Sequence, residues 1–174
     1  CTLPWRFSRR ANKWPHVCDG RPMSKIAAAL QIPDRVAEHR LSLHGDILHI
    51  EFIGTLDLGV MKQLVPIYQA CIAHFGYLLL IMNVSRSSGI DAEARRYSVN
   101  WAKDFASVQS AAVYGAPMFV RGFMILLNRA VFLLSKGTVA ELNFVSSFAE
   151  GQTWLDGQRS KLQQAAAERL RAGG

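Results

Sequence analysis

The run YLLLIMNV, residues 77 to 84, limits what this chain can become more than any other stretch. It is too short for a buried helix and apolar on both alternating sides. It is closed by Gly76 before it and by the cluster Ser85-Arg86-Ser87-Ser88-Gly89 after it, the pattern of a strand covered on both faces. Such a strand is the best candidate for the centre of a sheet, and the chain reads as α/β. With 174 residues, 50% of them hydrophobic, it has material for one sizeable core and is too short for two ordinary domains.

The other elements arrange themselves around that strand. In HRLSLHGDILHIEFIG, apolar and polar residues alternate, predicting strands over 39–44 and 47–53 joined by a tight turn at Gly45-Asp46. Thr55 or Asp57 caps the next helix, where Val60, Leu64, Ile67, Cys71 and Phe75 share one face. Pro66 lies inside that helix and removes a backbone donor, so a bend near Lys62 or a break into two pieces is expected. After the central strand, a helix from Asp91 to Phe105 carries Ala94, Tyr97, Trp101 and Phe105 as an aromatic seam. QSAAVYG returns as a strand and VAELNFVSS as the last one. Ser147 and Glu150 then form an S-x-x-E capping box that starts a helix anchored by Phe148, Trp154 and Leu155. The alanine-rich, charged tail from 161 to 174 reads as a helix running past the core. The sum is a mixed, mostly parallel five-stranded sheet with helices packed against it.

Residues 118 to 135 come close to a membrane-spanning composition, but Arg121 and Arg129 argue against a buried transmembrane helix. On a helical wheel the polar side is too narrow for an ordinary surface helix. A second subunit, an apolar ligand, a lipid surface or the C-terminal segment would have to cover it. The excess apolar surface leads to the expectation of a homodimer.

Charge is concentrated at one end. Residues 1 to 22 hold Arg6, Arg9, Arg10, Lys13 and Arg21 against Asp19, so they contribute +4 of the net +7. This leader has no continuous apolar segment of the kind a secretory signal needs. Two readings fit it: upstream sequence preceding a start at Met23, or a basic arm for an acidic partner. Residues 23 to 37 then form an N-terminal segment ahead of a domain spanning 38 to 160. Cys1 and Cys18 lie in the leader, leaving Cys71 as a small core residue, and no disulfide framework or metal-ligand spacing is visible. That usage suits a reducing cytoplasm.

Four stretches carry a family likeness: GDILHIEFIGTLD entering the first helix, LLLIMNVSRSSGIDAEARR at the central strand, AAVYG with Arg121 soon after, and FVSSFAEGQTWL near the end. In their order and spacing over some 120 residues, 38 to 160 resembles the STAS anti-sigma-factor antagonist fold. It is most similar to the SpoIIAA-like branch of small bacterial proteins, which is likened in shape to lipid-carrying CRAL-TRIO domains. The resemblance implies a regulatory, protein-binding module whose phosphoacceptor is Ser87 or Ser88, less readily Ser85. Two positions depart from the family's pattern. Arg86 stands where STAS proteins carry an aspartate beside the serine, and Gly151 replaces an alanine.

Read on its own chemistry, the segment from 85 to 90 has two explanations. A phosphate there would sit at a helix N-terminus, within reach of free amides and of Arg86, and would repel an acidic partner. Alternatively Ser88 or Asp91 simply caps the helix and Gly89 permits a turn. Arg86, Gly89 and Asp91 complete the expected partner-binding loop.

Enzymatic readings find little support. His16, His39, His44, His49 and His74 have no i, i+4 metal partner and no nucleophile motif beside them. Asp91 and Glu93 lie where acids favour a helix dipole, and SSG lacks the spaced glycines and lysine of a phosphate loop. The body carries no basic stripe with stacking aromatics, which argues against nucleic acid. The expectation is a non-enzymatic protein-binding module with no cofactor and no metal. The alternative is a carrier or sensor of an apolar small molecule or lipid, held by Tyr97, Trp101, Phe119, Phe123 and Leu127.

Overall fold

Alternation between residues 39 and 52 produces the expected hairpin. A computed structural model of the chain describes residues 30–105, 108–118, 121–122 and 141–172. Its strands are β1 (Arg35–Val36), β2 (His39–His44), β3 (Ile47–Leu56), β4 (Leu78–Ile90), β5 (Gln109–Tyr114) and β6 (Glu141–Phe144). Its long helices are α1 (Leu58–Phe75), α2 (Ala92–Phe105) and α3 (Phe148–Ala172). Gly45 takes φ 67° in the two-residue turn between β2 and β3, a conformation that costs glycine little.

All six strands form one sheet in the order β1-β2-β3-β4-β5-β6. β1, β2 and β3 are antiparallel, whereas β3 to β6 run parallel. The expected count of five misses β1, a two-residue strand too short to leave a periodic signal. Its Val36 is buried in the core, so the sheet begins before residue 38.

The parallel strands are joined by helical crossovers, and right-handedness puts α1 and α2 on the same face. There Leu41, Leu43, Leu48, Ile50, Leu78, Leu80, Ala111 and Val113 are all buried. Asp57 caps α1 by accepting from the Val60 amide at 2.8 Å, and Gly76 ends it in the left-handed conformation, φ 85°. The predicted face of Val60, Leu64, Ile67, Cys71 and Phe75 is buried as expected.

The expected break at Pro66 does not occur, since α1 is a single helix of 18 residues. Pro66 and Lys62 are both exposed, so the carbonyl that loses its donor faces water. Interior proline costs a helix about 3 kcal/mol. Each fully buried large apolar side chain returns about 2 kcal/mol, and α1 buries eight residues.

Asp91 caps α2, accepting from the Ala94 amide at 2.6 Å. Ala94 is fully buried, and Tyr97 and Trp101 pack against the core, with the Tyr68 and Trp101 rings 5.4 Å apart. The Phe105 side chain lies outside the described residues, as does nearly all of the apolar stretch 118–135.

α3 lies on the opposite face. Ser147 Oγ accepts from the Glu150 amide at 3.3 Å, half of the expected capping box. The other half shifts by one residue, because the Glu150 carboxylate accepts from Ser146 N at 2.7 Å and Ser146 Oγ at 2.5 Å. Gly151 permits close approach: a Cβ there would stand 3.2 Å from Ala112 Cβ and 3.4 Å from Val145 Cγ2. Leu155 and Leu162 are buried, and Ala166 Cβ lies 3.5 Å from where a Cβ on Gly76 would be. The helix therefore still packs on the core well beyond residue 161, where an extension was expected to begin.

Candidate functional site

The expected serine loop is not a loop. β4 continues as a strand through Ile90, paired with β3 as Ile53↔Arg86, Gly54↔Ser87, Thr55↔Gly89 and Leu56↔Ile90. Between Glu51 and Ile53, and again between Gly54 and Thr55, β4 carries one residue more than β3. These are β-bulges, which bend a strand and re-aim its side chains. At the first, the Ile53 amide donates to His39 Nδ1 at 3.1 Å. At the second, Gly89 takes φ 125°.

β5 pairs with β4 only as far as Asn83, and β2 pairs with β3 only as far as Glu51. Beyond those points β3 and β4 project as a two-stranded arm at the carboxyl end of the sheet. Ser85, Arg86, Ser88 and Gly89 are exposed on it. The three candidate serines are not equivalent. Ser87 Oγ donates to the Gly54 carbonyl at 3.5 Å and accepts from the Gly89 amide at 3.2 Å, so its hydroxyl braces the second bulge. The Ser85 amide donates to Asn83 Oδ1 at 3.1 Å, leaving its hydroxyl on the surface. Ser88 is exposed. Asp91, grouped with the loop from sequence, is the cap of α2.

Register brings a second set of residues to the base of this arm. Arg35, Arg40, Glu51, Asn83 and Tyr114 are paired in succession across five strands. All five therefore belong to one row on the face that α3 covers only in part. Glu51 lies 3.7 Å from Arg40 and 3.6 Å from Arg86, which reaches back over it from the arm. An open depression of about 400 Å³ is lined by Asp34, Arg35, Arg40, Leu41, Ser42, His49 and Glu51.

Hydrogen bonds continue from the row into the next one. Asn83 bonds to the Tyr114 hydroxyl, which lies 3.1 Å from His49 Nε2. His49 Nδ1 lies 3.4 Å from Ser42 Oγ, itself 3.0 Å from His44 Nε2. Phe148 sets its ring edge-on to both imidazoles, with centroids 5.1 and 5.0 Å away. Burial lowers the His49 pKa from the usual 6.5; the nearby His44 adds to the effect and Glu51 opposes it. Burial likewise raises the Tyr114 hydroxyl, with Glu51 adding to it and Asn83 opposing. A neutral His49 bridges a tyrosine and a serine with one ring nitrogen donating and the other accepting.

Sequence reasoning put His44 and His49 on the first strands without seeing this network. Its signal was present in the polar alternation Arg40, Ser42, His44 and His49, Glu51, but the partners Asn83 and Tyr114 come from strands distant in sequence. Among the described residues, no three of His, Cys, Asp and Glu group as metal ligands would. Among the expected apolar ligand contacts, Tyr97 and Trp101 pack into the core, and Phe119, Phe123 and Leu127 lie outside the described residues. No described helix is long and apolar enough to cross a membrane.

No protein-family model matches the chain, and no curated protein is significantly similar to it. Two solved structures are similar in fold. One is an uncharacterized protein of the DUF3478 family with a SpoIIAA-like fold from Shewanella loihica PV-4, at 16% identity and a TM-score of 0.46, covering 67% of this chain and 91% of that one. The other is the anti-sigma factor antagonist SpoIIAA in its unphosphorylated form, at 14% identity and a TM-score of 0.48, covering 70% of this chain and 97% of that one. The first description prints a SpoIIAA-like fold and the second is SpoIIAA itself.

Proposed function

We propose that this chain is a non-enzymatic regulatory module that binds another protein through the projecting arm of β3 and β4. The observation that carries the reading is the arm itself. It holds Ser85, Arg86, Ser88 and Gly89 exposed beyond the neighbouring strands while the sheet behind it is packed, with Leu48, Ile50, Leu79 and Ile81 at 0% exposure. A strand pair that outruns its sheet exposes backbone and side chains without a core of its own, which suits docking better than chemistry. Tyr97 and Trp101 favour the module over a carrier, because both pack against core residues.

Control by phosphorylation falls on Ser88 in this reading. Its exposure allows a modifying enzyme to reach it, whereas Ser87 spends its hydroxyl on the bulge. A phosphate there would add up to about two negative charges near Arg86 and the start of α2. The test is a photo-crosslinking residue at position 88 in the full chain, expressed in its native cell. A discrete protein adduct from position 88 is the expected result, and Ser88→Asp in the chain without the crosslinker should weaken capture of the same protein. A co-purifying lipid without any adduct would favour the carrier.

A further inference from the structure

We infer that the row Arg35, Arg40, Glu51, together with Arg86, is a docking surface for an acidic segment of a protein partner, recognised through its carboxylates. This rests on the protein-binding reading above and names the partner's chemistry.

Arg35 and Arg40 are direct cross-strand partners, a like-charge placement that weakens a sheet. Arg86 is brought onto the same face by the first bulge of β4. Two guanidinium groups, those of Arg40 and Arg86, therefore meet at Glu51, while Arg35 and Asp34 line the same depression.

Glu51 is shared by Arg40 and Arg86 at 3.7 and 3.6 Å, beyond hydrogen-bond length. It is 20% exposed while both arginine side chains are 56% exposed, so it anchors the forks from below and leaves most of their N–H groups facing out. Guanidinium forks held apart in this way match carboxylates in two-point contacts. Ser42 and His49 line the floor of the same depression and supply hydrogen-bonding groups.

Residues 1–29 contain Asp19 as their one acid, and residues 119–140 contain none. Neither segment offers a run of carboxylates to the row, and the adjoining arm offers a backbone edge to an extended peptide.

The test uses the full chain and a fluorescein-labelled octaglutamate peptide, read by fluorescence anisotropy across a salt series. The paired substitution Arg40→Gln with Arg86→Gln should weaken binding about tenfold, because both are contacts to charged groups. Arg96→Gln, an exposed arginine on α2, and the pair Arg9→Gln with Arg10→Gln should each leave the affinity unchanged. Arg40, Arg86 and Arg96 are all exposed, and circular dichroism checks that every variant folds. Equal losses from the control variants would overturn the inference. So would octaglutamate binding that ignores the Arg40 and Arg86 changes, or tighter binding through these residues to phosphatidylserine vesicles or to an oligothymidylate.

The two readings fail separately. A protein adduct at position 88 that survives the Arg40 and Arg86 changes removes the acidic-segment inference and leaves the module. The absence of any adduct removes the module, whatever the peptide does.

Discussion

Arg159 on α3 and Asp46 in the β2–β3 turn, 113 residues apart, meet in a two-point ion pair at 2.7 and 2.8 Å. The Tyr77 hydroxyl donates to the same carboxylate at 2.6 Å. Burial alone would raise the Asp46 pKa, but hydrogen bonds from Arg159 and Tyr77 outweigh it and hold the carboxyl below its usual range. The same setting pushes the Tyr77 hydroxyl up to about 12, burial leading and Asp46 adding to it. The side chains are 31% and 12% exposed, so solvent screens the pair only partly.

Arg159→Leu should therefore destabilise the fold by about 2 kcal/mol, the range for a hydrogen-bonded charge that loses its partner. Because Asp46 titrates lower in the folded state, its contribution is present above the unfolded carboxylate pKa. It is lost as pH falls through the depressed folded value. Urea denaturation of wild type and variant at neutral and acid pH checks both parts: the gap should close in acid.

His39 is predicted to make the fold sensitive to mild acid. The ring is buried, and its Nδ1 accepts from the Ile53 amide, which a protonated ring cannot do. Burial lowers its pKa from 6.5, with Glu38 and Asp57 opposing. The unfolded chain thus binds the proton first, and stability falls as pH drops from about 7 through the folded pKa. A His39→Leu variant should lose stability at neutral pH, by about 1–3 kcal/mol for the orphaned amide. It should also show a shallower pH dependence in thermal melts, with the slope that His49 contributes remaining.

Two glycines give a matched comparison of strain with crowding. Gly45 has φ 67° and Gly115 φ 76°, so alanine is strained at both, by about 1 kcal/mol. A Cβ at Gly45 would meet nothing within 4 Å, whereas one at Gly115 would stand 2.7 Å from Ser85 Cβ and 2.8 Å from Ser85 N. Gly115→Ala should cost about 2 kcal/mol more than Gly45→Ala, measured by chemical denaturation. It should also displace Ser85, visible as amide shift changes along the arm.

Cys71 is predicted to be inert in the native protein. It is 1% exposed, and burial pushes its thiol up to about 12, so almost no thiolate forms at neutral pH. Iodoacetamide should label it only after denaturant is added, as peptide mass spectrometry would show. Rapid labelling of the folded chain would contradict the packing described for α1.

The sequence already displayed the elements whose signal is local. Alternation around Gly45 located β2 and β3, and the spacing of Val60, Leu64, Ile67, Cys71 and Phe75 located the buried side of α1. Elements that depend on a neighbour were hidden. β1 is two residues long and exists through its pairing with β2. The polar half of β4 reads as a loop because its serines and Arg86 carry no strand propensity, and only the register with β3 extends it. The uninterrupted course of α1 through Pro66 was equally hidden, since the proline's exposure depends on which side of the helix the sheet occupies. The hairpin read around Gly45 aligns Arg40 with Glu51, but the other three residues of the row, Arg35, Asn83 and Tyr114, come from strands whose register neither composition nor spacing reveals.

The extra residue on β4 after Asn83 works as a change of parity. In an unbroken ladder Arg86 would pair with Gly54 and point to the side of α1 and α2, away from Glu51. With the offset, inward and outward positions exchange until the second bulge, between Ser87 and Gly89, restores them, and the guanidinium emerges above Glu51. Comparisons with related chains at this segment should therefore count residues between Asn83 and Arg86 before they compare letters, because the length of that interval decides which side of the molecule carries the charge.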